Sequence, residues 1–423
     1  MTSSVAQIEI KKSRFPMLRK LARKLVFAQL NKLHTGSLVI NEGDQSFHFG
    51  ETLDPSHELY AQLDIQDQGA YVDILTGGSI GAAEAYMTGD WTSPDLTKAV
   101  RVMARNIDLL NAMEGGIASL VSGPFLKFFH YLNQNSEKGS RRNIVAHYDL
   151  GNELFELFLD PTMMYSSGIF PAENASMEDA SLNKLKTICE RLQLSDQDHV
   201  VEIGTGWGGF AIYAAQNYGC RVTTTTISDE QYNLAQQRVK DAELEDKITL
   251  LKQDYRKLDG QYDKLVSIEM IEAVGAKYFD TFFEKCSSLL KDNGLMLIQA
   301  ITIEDQRFDR ALKNVDFIQR YIFPGSCIPS IQAMLTATKK VTNLNLLASH
   351  DFGLHYSRTL KLWQEAFNKQ DDTVSKLGYS EDFKRMWRFY LSYCEGGFAE
   401  RAIGVSHLVW AKPGYRPALQ DTY

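Results

Sequence analysis

The 423-residue sequence lacks the patterns that mark secreted, metal-binding and membrane-spanning proteins. Its five cysteines are scattered, with no Cys-x-x-Cys pair and no histidine partner, which argues against a disulfide framework or a zinc site and predicts reduced thiols in a cytosolic protein. No apolar stretch reaches the roughly 18 residues of a membrane span. The net charge of −8 argues against a nucleic-acid partner. What remains is an ordinary globular composition in a chain long enough for two domains.

One segment departs from this acidic balance. Residues 1–33 carry eight lysines or arginines and one acid, for a local charge of +7. Four apolar residues recur there at helical spacing: Leu18, Leu21, Leu25 and Ala28. A basic amphipathic helix suits an anionic membrane surface. A helix that packs its leucines on its own domain and a transit peptide are the alternatives.

Composition divides the chain into two predicted domains. Residues 1–132 form a small α/β domain for membrane association or dimerisation, and residues 144–423 form the catalytic domain. The segment between them, 133–143, is polar and nearly devoid of apolar residues, which is typical of a linker. In the first domain "SLVINEG" and "AYVDILTG" predict strands, and two helices follow, the second with Ser93 as its N-cap.

Short apolar strands alternate with helices in the second domain. The predicted strands are "HVVEI", "RVTTTTI", "KITLLKQ", "DKLVSIE" and "LMLIQAITI", and "AIGVSHLVWAKP" is a final edge strand. The helix "YFDTFFEKCSSLLKDNG" is predicted to end at Gly294. This alternation requires crossover connections and predicts an α/β, Rossmann-like fold with a mostly parallel sheet.

A glycine-rich turn follows the first of these strands. In "VVEIGTGWGGF", Gly204, Gly206 and Gly209 fit G-x-G-x-x-G, which predicts a nucleotide-like ligand at a helix N-terminus. A dehydrogenase that binds NAD would place a carboxylate at the end of the second strand, which here ends in residues 226–228, "TIS". Instead an acid, Glu202, precedes the glycines. The pattern therefore favours S-adenosylmethionine (SAM) over NAD.

Several long segments, in order, resemble the cyclopropane-fatty-acid synthase family of SAM-dependent methyltransferases. They include "NIVAHYDLGNELFELFLDPTMMYSSGIF", "TISDEQ", "QDYRKLDGQYDKLVSIEMIEAVG", "RYIFPGSCIPS" and "DFGLHYSRTLKLWQEAF", and the resemblance covers about 143–412. The region before about 130 resembles the N-terminal domain of full-length members. The resemblance implies that a SAM carbon is added to a cis double bond of a phospholipid acyl chain. A carbocation forms, and a bound bicarbonate takes the proton that closes a cyclopropane ring.

The resemblance assigns roles by position. The positions that match SAM contacts are Tyr165, Ser166, Gly204, Gly206, Thr226, Ile227, Gln231, Tyr255 and Ile268. The positions that match the catalytic bicarbonate pocket are Ser167, Glu272, Gln299, Ile301 and Tyr356. Aromatic rings that could face a cation are those of Tyr148, which matches a site-lining tyrosine, and of Tyr165, Phe170 and Tyr356.

Two bicarbonate contacts depart from the family pattern. Ser167 stands where the family usually has cysteine, and Gln299 where it has histidine. Hydroxyl and amide groups can still bind an anion, but an ionisable histidine is missing. Two products therefore stay open: a cyclopropane fatty acid, or a methylene- or methyl-branched chain, whose saturation would need a separate reductase.

Other functions and the location are also expectations at this point. A lipid-binding protein without catalysis would fail to bind SAM, and a small-molecule methyltransferase would have no use for a basic amphipathic helix. The resemblance implies an enzyme in the cytoplasm, peripheral on the inner face of the membrane, and a homodimer as in many full-length relatives.

Overall fold

The computed structural model describes residues 16–109 and 150–416. The predicted linker, 133–143, and Tyr148 lie outside the described residues. None of the helices in the described ranges is long and apolar enough to cross a membrane.

Contacts divide the chain into two compact units. The first is Met1–Phe125 with Glu381–Phe389, and the second is Leu126–Ser380 with Tyr390–Tyr423. A short segment near the C-terminus is thus grouped with the N-terminal region, and the predicted domain boundary stays a prediction.

The first unit is built on a four-stranded sheet in the order β2-β1-β3-β4. Strands β1 and β3 are parallel, and β1–β2 and β3–β4 are antiparallel. Its elements are α1 (Pro16–Leu30), β1 (Ser37–Glu42), β2 (Gln45–Gly50), β3 (Tyr60–Ile65), α2 (Ala70–Met87), β4 (Trp91–Thr92) and α3 (Leu96–Arg105).

Two sequence predictions in this unit are wrong. "AYVDILTG" is not a strand but the first half of α2, which breaks at Gly78, where φ is +58°. Tertiary packing overrides local β propensity here, because Tyr71 and Val72 are buried in the core and the Tyr71 hydroxyl donates to Glu42. The N-cap of α3 is Asp95 rather than Ser93, since the Asp95 carboxylate accepts from the backbone N–H of Lys98.

The second unit contains a seven-stranded sheet in the order β10-β11-β9-β8-β5-β6-β7. Its strands are β5 (His199–Ile203), β6 (Arg221–Thr226), β7 (Ile248–Lys252), β8 (Tyr262–Ile268), β9 (Leu290–Ile303), β10 (Asn345–Asp351) and β11 (Ile403–Ala411). All neighbouring pairs from β7 to β9 are parallel, and β11 runs antiparallel to β9 and β10. The predicted α/β, mostly parallel fold is confirmed.

Two helices precede β5, and the others lie between strands of this sheet. In chain order the helices are α4 (Asn152–Glu156), α5 (Met177–Arg191), α6 (Gly209–Tyr218), α7 (Asp229–Asp241), α8 (Phe279–Leu289), α9 (Asp305–Ala311), α10 (Ile331–Val341), α11 (Gly353–Lys369), α12 (Asp371–Lys376) and α13 (Glu381–Ala399). Several begin at caps encoded in the sequence. Ser176 and Asp179 form a capping box on α5, and the Ser228 hydroxyl accepts from the Gln231 N–H to cap α7.

Alternate residues of the central strands supply two cores, one on each face of the sheet. Leu265 joins Phe282 of α8 in one core, whereas its neighbour Val266 joins Phe210 of α6 in the other. Because successive side chains of a strand point to opposite faces, near-continuous apolar runs such as these indicate strands covered on both sides.

The predictions for the C-terminal side of this sheet need two corrections. Helix α8 ends at Leu289 rather than at Gly294, because Leu290 already pairs with Tyr262 of β8. Strand β11 is not an edge strand, since it lies between β9 and β10 and is buried from Val405 to Ala411. The edge is β10, whose residues alternate between exposed and half-buried and which the sequence analysis missed.

Candidate active site

The predicted site residues gather where the parallel strands end. The glycine turn follows β5, Thr226 ends β6 and Ile227 comes directly after it, Tyr255 follows β7, and Ile268 ends β8. In β9, Gln299 is paired with Ile268. Ligands of open α/β sheets bind at this carboxyl edge, so the fold brings the two predicted groups of residues to one place.

The glycine turn has a backbone that other residues adopt with difficulty. Gly204 and Gly206 have φ of +100° and +53°. The N–H groups of Gly204 and Thr205 both donate to the Thr225 carbonyl, at 3.1 and 3.0 Å. A Cβ placed on Gly206 would meet nothing within 4 Å, so open space lies beside the turn at the start of α6.

Glu202, the acid before the glycines, is connected to the turn by buried hydrogen bonds through Thr224 and Thr205. Its carboxyl accepts from the Thr224 hydroxyl at 2.6 Å, and Thr224 is 2.7 Å from the Thr205 hydroxyl. Since the hydrogen of Thr224 is directed to the carboxyl, Thr205 is the donor of the second bond. Burial raises the pKa of Glu202 to about 8.

The ends of β6 and β7 supply further predicted contacts. The Thr226 hydroxyl donates to Oε1 of Gln231 at 2.9 Å, which orients the buried amide and leaves its NH₂ group to donate. The Tyr255 ring packs edge-on against Phe282, with ring centroids 5.5 Å apart.

The segment from Met163 to Phe170 is irregular rather than a strand. Helix α11 holds it, because the Gly168 N–H donates to the Thr359 hydroxyl at 3.1 Å and the Phe170 N–H donates to Nδ1 of His355 at 3.0 Å. The backbone of this segment is therefore fixed by side chains and is positioned to line the sheet edge.

Lys184 of α5 is a buried residue that the sequence analysis missed. Its ammonium donates to the Ser166 hydroxyl at 2.7 Å. Because a lysine only donates, the hydroxyl hydrogen of Ser166 is left for another acceptor. Burial lowers the pKa of Lys184 to about 8, against the opposing charges of Glu269, Asp160 and Glu202. The sequence did carry a signal for this burial. Lys184 has helical spacing with Ala180 and Ile188, which are buried apolar residues of α5.

Glu269 is the second residue that the sequence analysis missed. It directly follows β8, is half-buried, and has φ of +48°, a conformation that costs a non-glycine residue about 1–3 kcal/mol. Its Oε1 accepts from the Ser167 N–H at 3.0 Å and from Nε2 of Gln299 at 2.8 Å, and its Oε2 accepts from the Tyr356 hydroxyl at 2.6 Å. Three predicted bicarbonate contacts thus converge on one carboxylate.

A chain of buried hydrogen bonds orients Gln299. Arg191 lies 2.5 Å from Nδ1 of His407, and Nε2 of His407 lies 2.8 Å from Oε1 of Gln299. The guanidinium can only donate, so His407 accepts at Nδ1 and donates from Nε2, and the Gln299 amide must donate to Glu269. Burial holds the pKa of His407 well below its ordinary value, in keeping with a neutral ring.

The other two predicted bicarbonate contacts bond to each other. Oε1 of Glu272 accepts from the Ile301 N–H at 2.5 Å, while its buried Oε2 has no hydrogen-bond partner among the described residues. Burial, and then the charge of Glu269, raise the pKa of Glu272 to about 8. This shift favours the protonated form of the Glu272 carboxyl at neutral pH.

Aromatic rings form one wall beside these carboxyls. The Tyr165 ring stacks on Trp363 at a centroid distance of 5.3 Å, and Trp363 meets the Tyr356 ring edge-on at 6.3 Å. Phe170 has other partners, since the Arg358 guanidinium lies 4.0 Å from its ring centroid. Of the predicted rings in the described residues, Tyr356 bonds directly to the Glu269 carboxyl, and Tyr165 packs next to Tyr356 through Trp363.

Comparisons with known proteins identify the family of this chain. A family profile described as mycolic acid cyclopropane synthetase matches residues 135–408. The chain is 38% identical over 335 residues to the tuberculostearic acid methyltransferase UfaA1 of Mycobacterium tuberculosis, covering 78% of each chain. It is 36% identical over 356 residues to the cyclopropane-fatty-acyl-phospholipid synthase of Escherichia coli K12, covering 83% of this chain and 88% of that one.

Solved structures of cyclopropane synthases are also similar to this chain. The cyclopropane synthase MmaA2 from Mycobacterium tuberculosis has a TM-score of 0.60 at 27% identity, over 64% of this chain and 98% of that one. The mycolic acid cyclopropane synthase CmaA1, solved with SAH and CTAB, also has a TM-score of 0.60, at 29% identity. The resemblance inferred from the sequence segments is confirmed.

The buried Glu202 predicts how stability depends on pH. Its pKa is about 8 when folded and returns toward 4.5 when unfolded, so the folded state keeps a proton that the unfolded chain releases. The free energy of unfolding should therefore fall as pH rises between these values, by about 1.4 kcal/mol per pH unit. Glu202→Gln removes the titration but keeps an acceptor for Thr224. Urea unfolding at pH 5.5 and 7.5 should show a smaller loss in this variant than in the wild type.

The matched control is Glu245→Gln, which changes an exposed carboxyl and should keep the wild-type pH dependence. Equal pH dependence in Glu202→Gln and the wild type would contradict the effect of burial.

Proposed function

The chain belongs to the mycolic acid cyclopropane synthetase family of SAM-dependent methyltransferases, and on that premise we propose that its substrate is a cis-unsaturated acyl chain of a membrane phospholipid. The enzyme transfers one carbon from SAM to the double bond of that chain. The observation that carries the proposal is the adjacency of Ser166 and Ser167. The Ser166 hydroxyl accepts from Lys184 on the cofactor side, and the backbone N–H of Ser167 donates to the carboxylate of Glu269.

The described residues fit SAM. The open space beside Gly206 and the N-terminus of α6 can receive the charged end of the molecule, and the Ser166 hydroxyl and the Gln231 amide keep hydrogens to donate to it. Tyr255 and Ile268 can contact the adenosine. SAM supplies an electrophilic methyl group. The residues that would hold SAM lie at the sheet edge, in the same unit as the rings of Tyr165 and Tyr356.

The protein's own groups would stabilise a positively charged acyl chain. The carboxylate of Glu269 supplies a fixed negative charge, oriented by three donors before the substrate arrives. The rings of Tyr165 and Tyr356 add electron-rich faces. Both effects act in a partly desolvated site, where electrostatic interactions are stronger than in water.

The first candidate product is a cyclopropane fatty acid. A methylene- or methyl-branched product is the second candidate, and the replacement of the expected cysteine and histidine by Ser167 and Gln299 favours it. A saturated branched chain would require a partner reductase. Reductase and homodimer both remain predictions.

Helix α1 supports a peripheral position on the inner, cytoplasmic face of the membrane. It packs on its own unit through Ala22, Val26 and Leu30. The predicted leucines face away from this core and are exposed, and the exposed set of large apolar residues on α1 is Met17, Leu18, Leu21 and Leu25. Exposed Lys20 and Lys24 lie on the same helix and can attract anionic lipids.

The lipid reaction is tested with purified protein, isotopically labelled SAM and vesicles of a cis-unsaturated phospholipid. We expect one labelled carbon in the acyl chain, and none with a saturated phospholipid, which offers no electrons to the methyl group. Proton NMR of the released fatty acids distinguishes a ring from a methylene branch, which have the same mass. Absence of label from every unsaturated phospholipid would refute the proposed substrate.

The glycine turn predicts where SAM binds. Gly206→Ala forces alanine into φ of +53° and points a Cβ into the open space beside the turn. We expect SAM affinity, measured by calorimetry, to fall about tenfold or more, since close backbone approach is lost. Gly43→Ala is the control, because Gly43 has φ of +58° and similarly open surroundings but lies in the first unit. Equal losses in both variants would point to strain alone.

Membrane association is tested on the exposed leucines of α1. Leu21→Glu combined with Leu25→Glu should weaken sedimentation with anionic vesicles about tenfold, because two inserted apolar side chains are replaced by acids. Leu347→Glu combined with Leu377→Glu is a matched control at other exposed leucines. Unchanged vesicle binding by the α1 variant would show that this face does not contact the membrane.

A further inference from the structure

We propose that the carboxylate of Glu269 takes the place of bicarbonate as the base of this enzyme and accepts the proton lost from the alkylated acyl chain. This inference rests on the proposed function and identifies a catalytic residue for it. It also means that the residues present do not fit a bound bicarbonate.

The first argument is the use of hydrogen-bond donors. The groups expected to bind bicarbonate are engaged by the protein itself. The backbone N–H of Ser167, the side-chain amide of Gln299 and the hydroxyl of Tyr356 donate to the two oxygens of Glu269, at 3.0, 2.8 and 2.6 Å. The Ile301 N–H donates to Glu272 at 2.5 Å. A carboxylate has the same planar O–C–O group as bicarbonate, so it can satisfy the same donors.

The second argument is the backbone of Glu269. Its φ of +48° lies in the left-handed region that favours glycine. The N–H of the same residue donates to the Gln299 carbonyl at 2.8 Å, which ties this unusual conformation to β9. A long acidic side chain is therefore held at a position where glycine would be the easier residue, and functional sites are where such strain is retained.

The third argument concerns which carboxyl is ionised. Glu269 accepts three hydrogen bonds and lies near the charge of Lys184, whereas Glu272 accepts one and has an unpartnered oxygen. Burial raises the pKa of both carboxyls, and that of Glu272 reaches about 8. Like charges so close cannot both be ionised easily, so the proton resides on Glu272 and Glu269 is left as the base.

The proton step is balanced without a co-reactant. After the double bond has taken up the methyl group, the acyl chain is a carbocation. A C–H bond of the added carbon breaks, and its electron pair forms the new carbon–carbon bond of the ring, or of a methylene group after a hydride shift. The proton passes to a Glu269 oxygen and leaves to water after product release. The same base thus serves either product.

The test compares turnover in CO₂-depleted buffer with and without added sodium bicarbonate. Wild-type turnover should be the same in both buffers. Glu269→Gln keeps the size of the side chain but removes the base, and it should lose about 100-fold or more in turnover in both buffers. Glu269→Gly suits the backbone and vacates the position of the carboxylate. It should lose as much without bicarbonate and regain at least about tenfold with millimolar bicarbonate.

A second readout does not depend on turnover. Bicarbonate should raise the thermal unfolding midpoint of Glu269→Gly and leave that of the wild type unchanged, because only the variant has free donors. Calorimetry with SAM checks that both variants retain the cofactor site. If neither variant binds SAM, the proposal is decided by wild-type turnover with and without added bicarbonate.

The outcomes distinguish failure of the Glu269 proposal from failure of the proposed function. Wild-type turnover that requires bicarbonate, or unchanged turnover in Glu269→Gln, would overturn the proposal. A wild type that labels no lipid in any buffer would instead contradict the proposed function. The unfolding midpoints would then still report whether Glu269 occupies the bicarbonate position.

Discussion

The direction of hydrogen bonding from Arg191 through His407 and Gln299 to Glu269 is the constraint on which the rest of the site depends. A guanidinium can only donate and a carboxylate can only accept, so the two ends of the chain determine the tautomer of the histidine and the orientation of the amide between them. Inside a protein such a network is rigid, because each reversed bond would leave a buried polar group unsatisfied. The position of the carboxylate is therefore set by the fold before any ligand binds.

The site also holds its buried amine and the Glu269 carboxyl on two adjacent residues, Ser166 and Ser167. Lys184 donates to the Ser166 hydroxyl, whereas Glu269 accepts from the backbone N–H of the adjacent Ser167, so a buried amine and a carboxyl bond to neighbouring residues. Burial raises the pKa of the neighbouring Glu272 to about 8, which disfavours a second negative charge in the same space. Oriented fixed charges of this kind stabilise a transient cation more effectively than water, which would have to reorient around it.

Much of the fold was predictable from local patterns. The apolar runs of β5 to β9 and the glycine turn identified the parallel sheet and its ligand edge, because both signals are local in sequence. Other features depend on distant contacts. The helical state of "AYVDILTG" depends on the packing of Tyr71, and the interior position of β11 depends on pairing with two strands remote from it in the chain. The site shows the same division: resemblance identified Ser167, Gln299 and Tyr356, but nothing local revealed that Glu269 is their common partner.

The position of β11 has a consequence for how the enzyme matures. This strand is inserted between β9 and β10, although both precede it in the chain. It carries His407, opposite Gln299 in the sheet. A ribosome-bound chain that has emerged only as far as β10 therefore lacks the strand that pairs with both β9 and β10, and its Gln299 amide is not yet oriented. Strand β11 joins β10 to β9 and places His407 opposite Gln299 in the same event, so the base cannot be aligned before this strand has been synthesised.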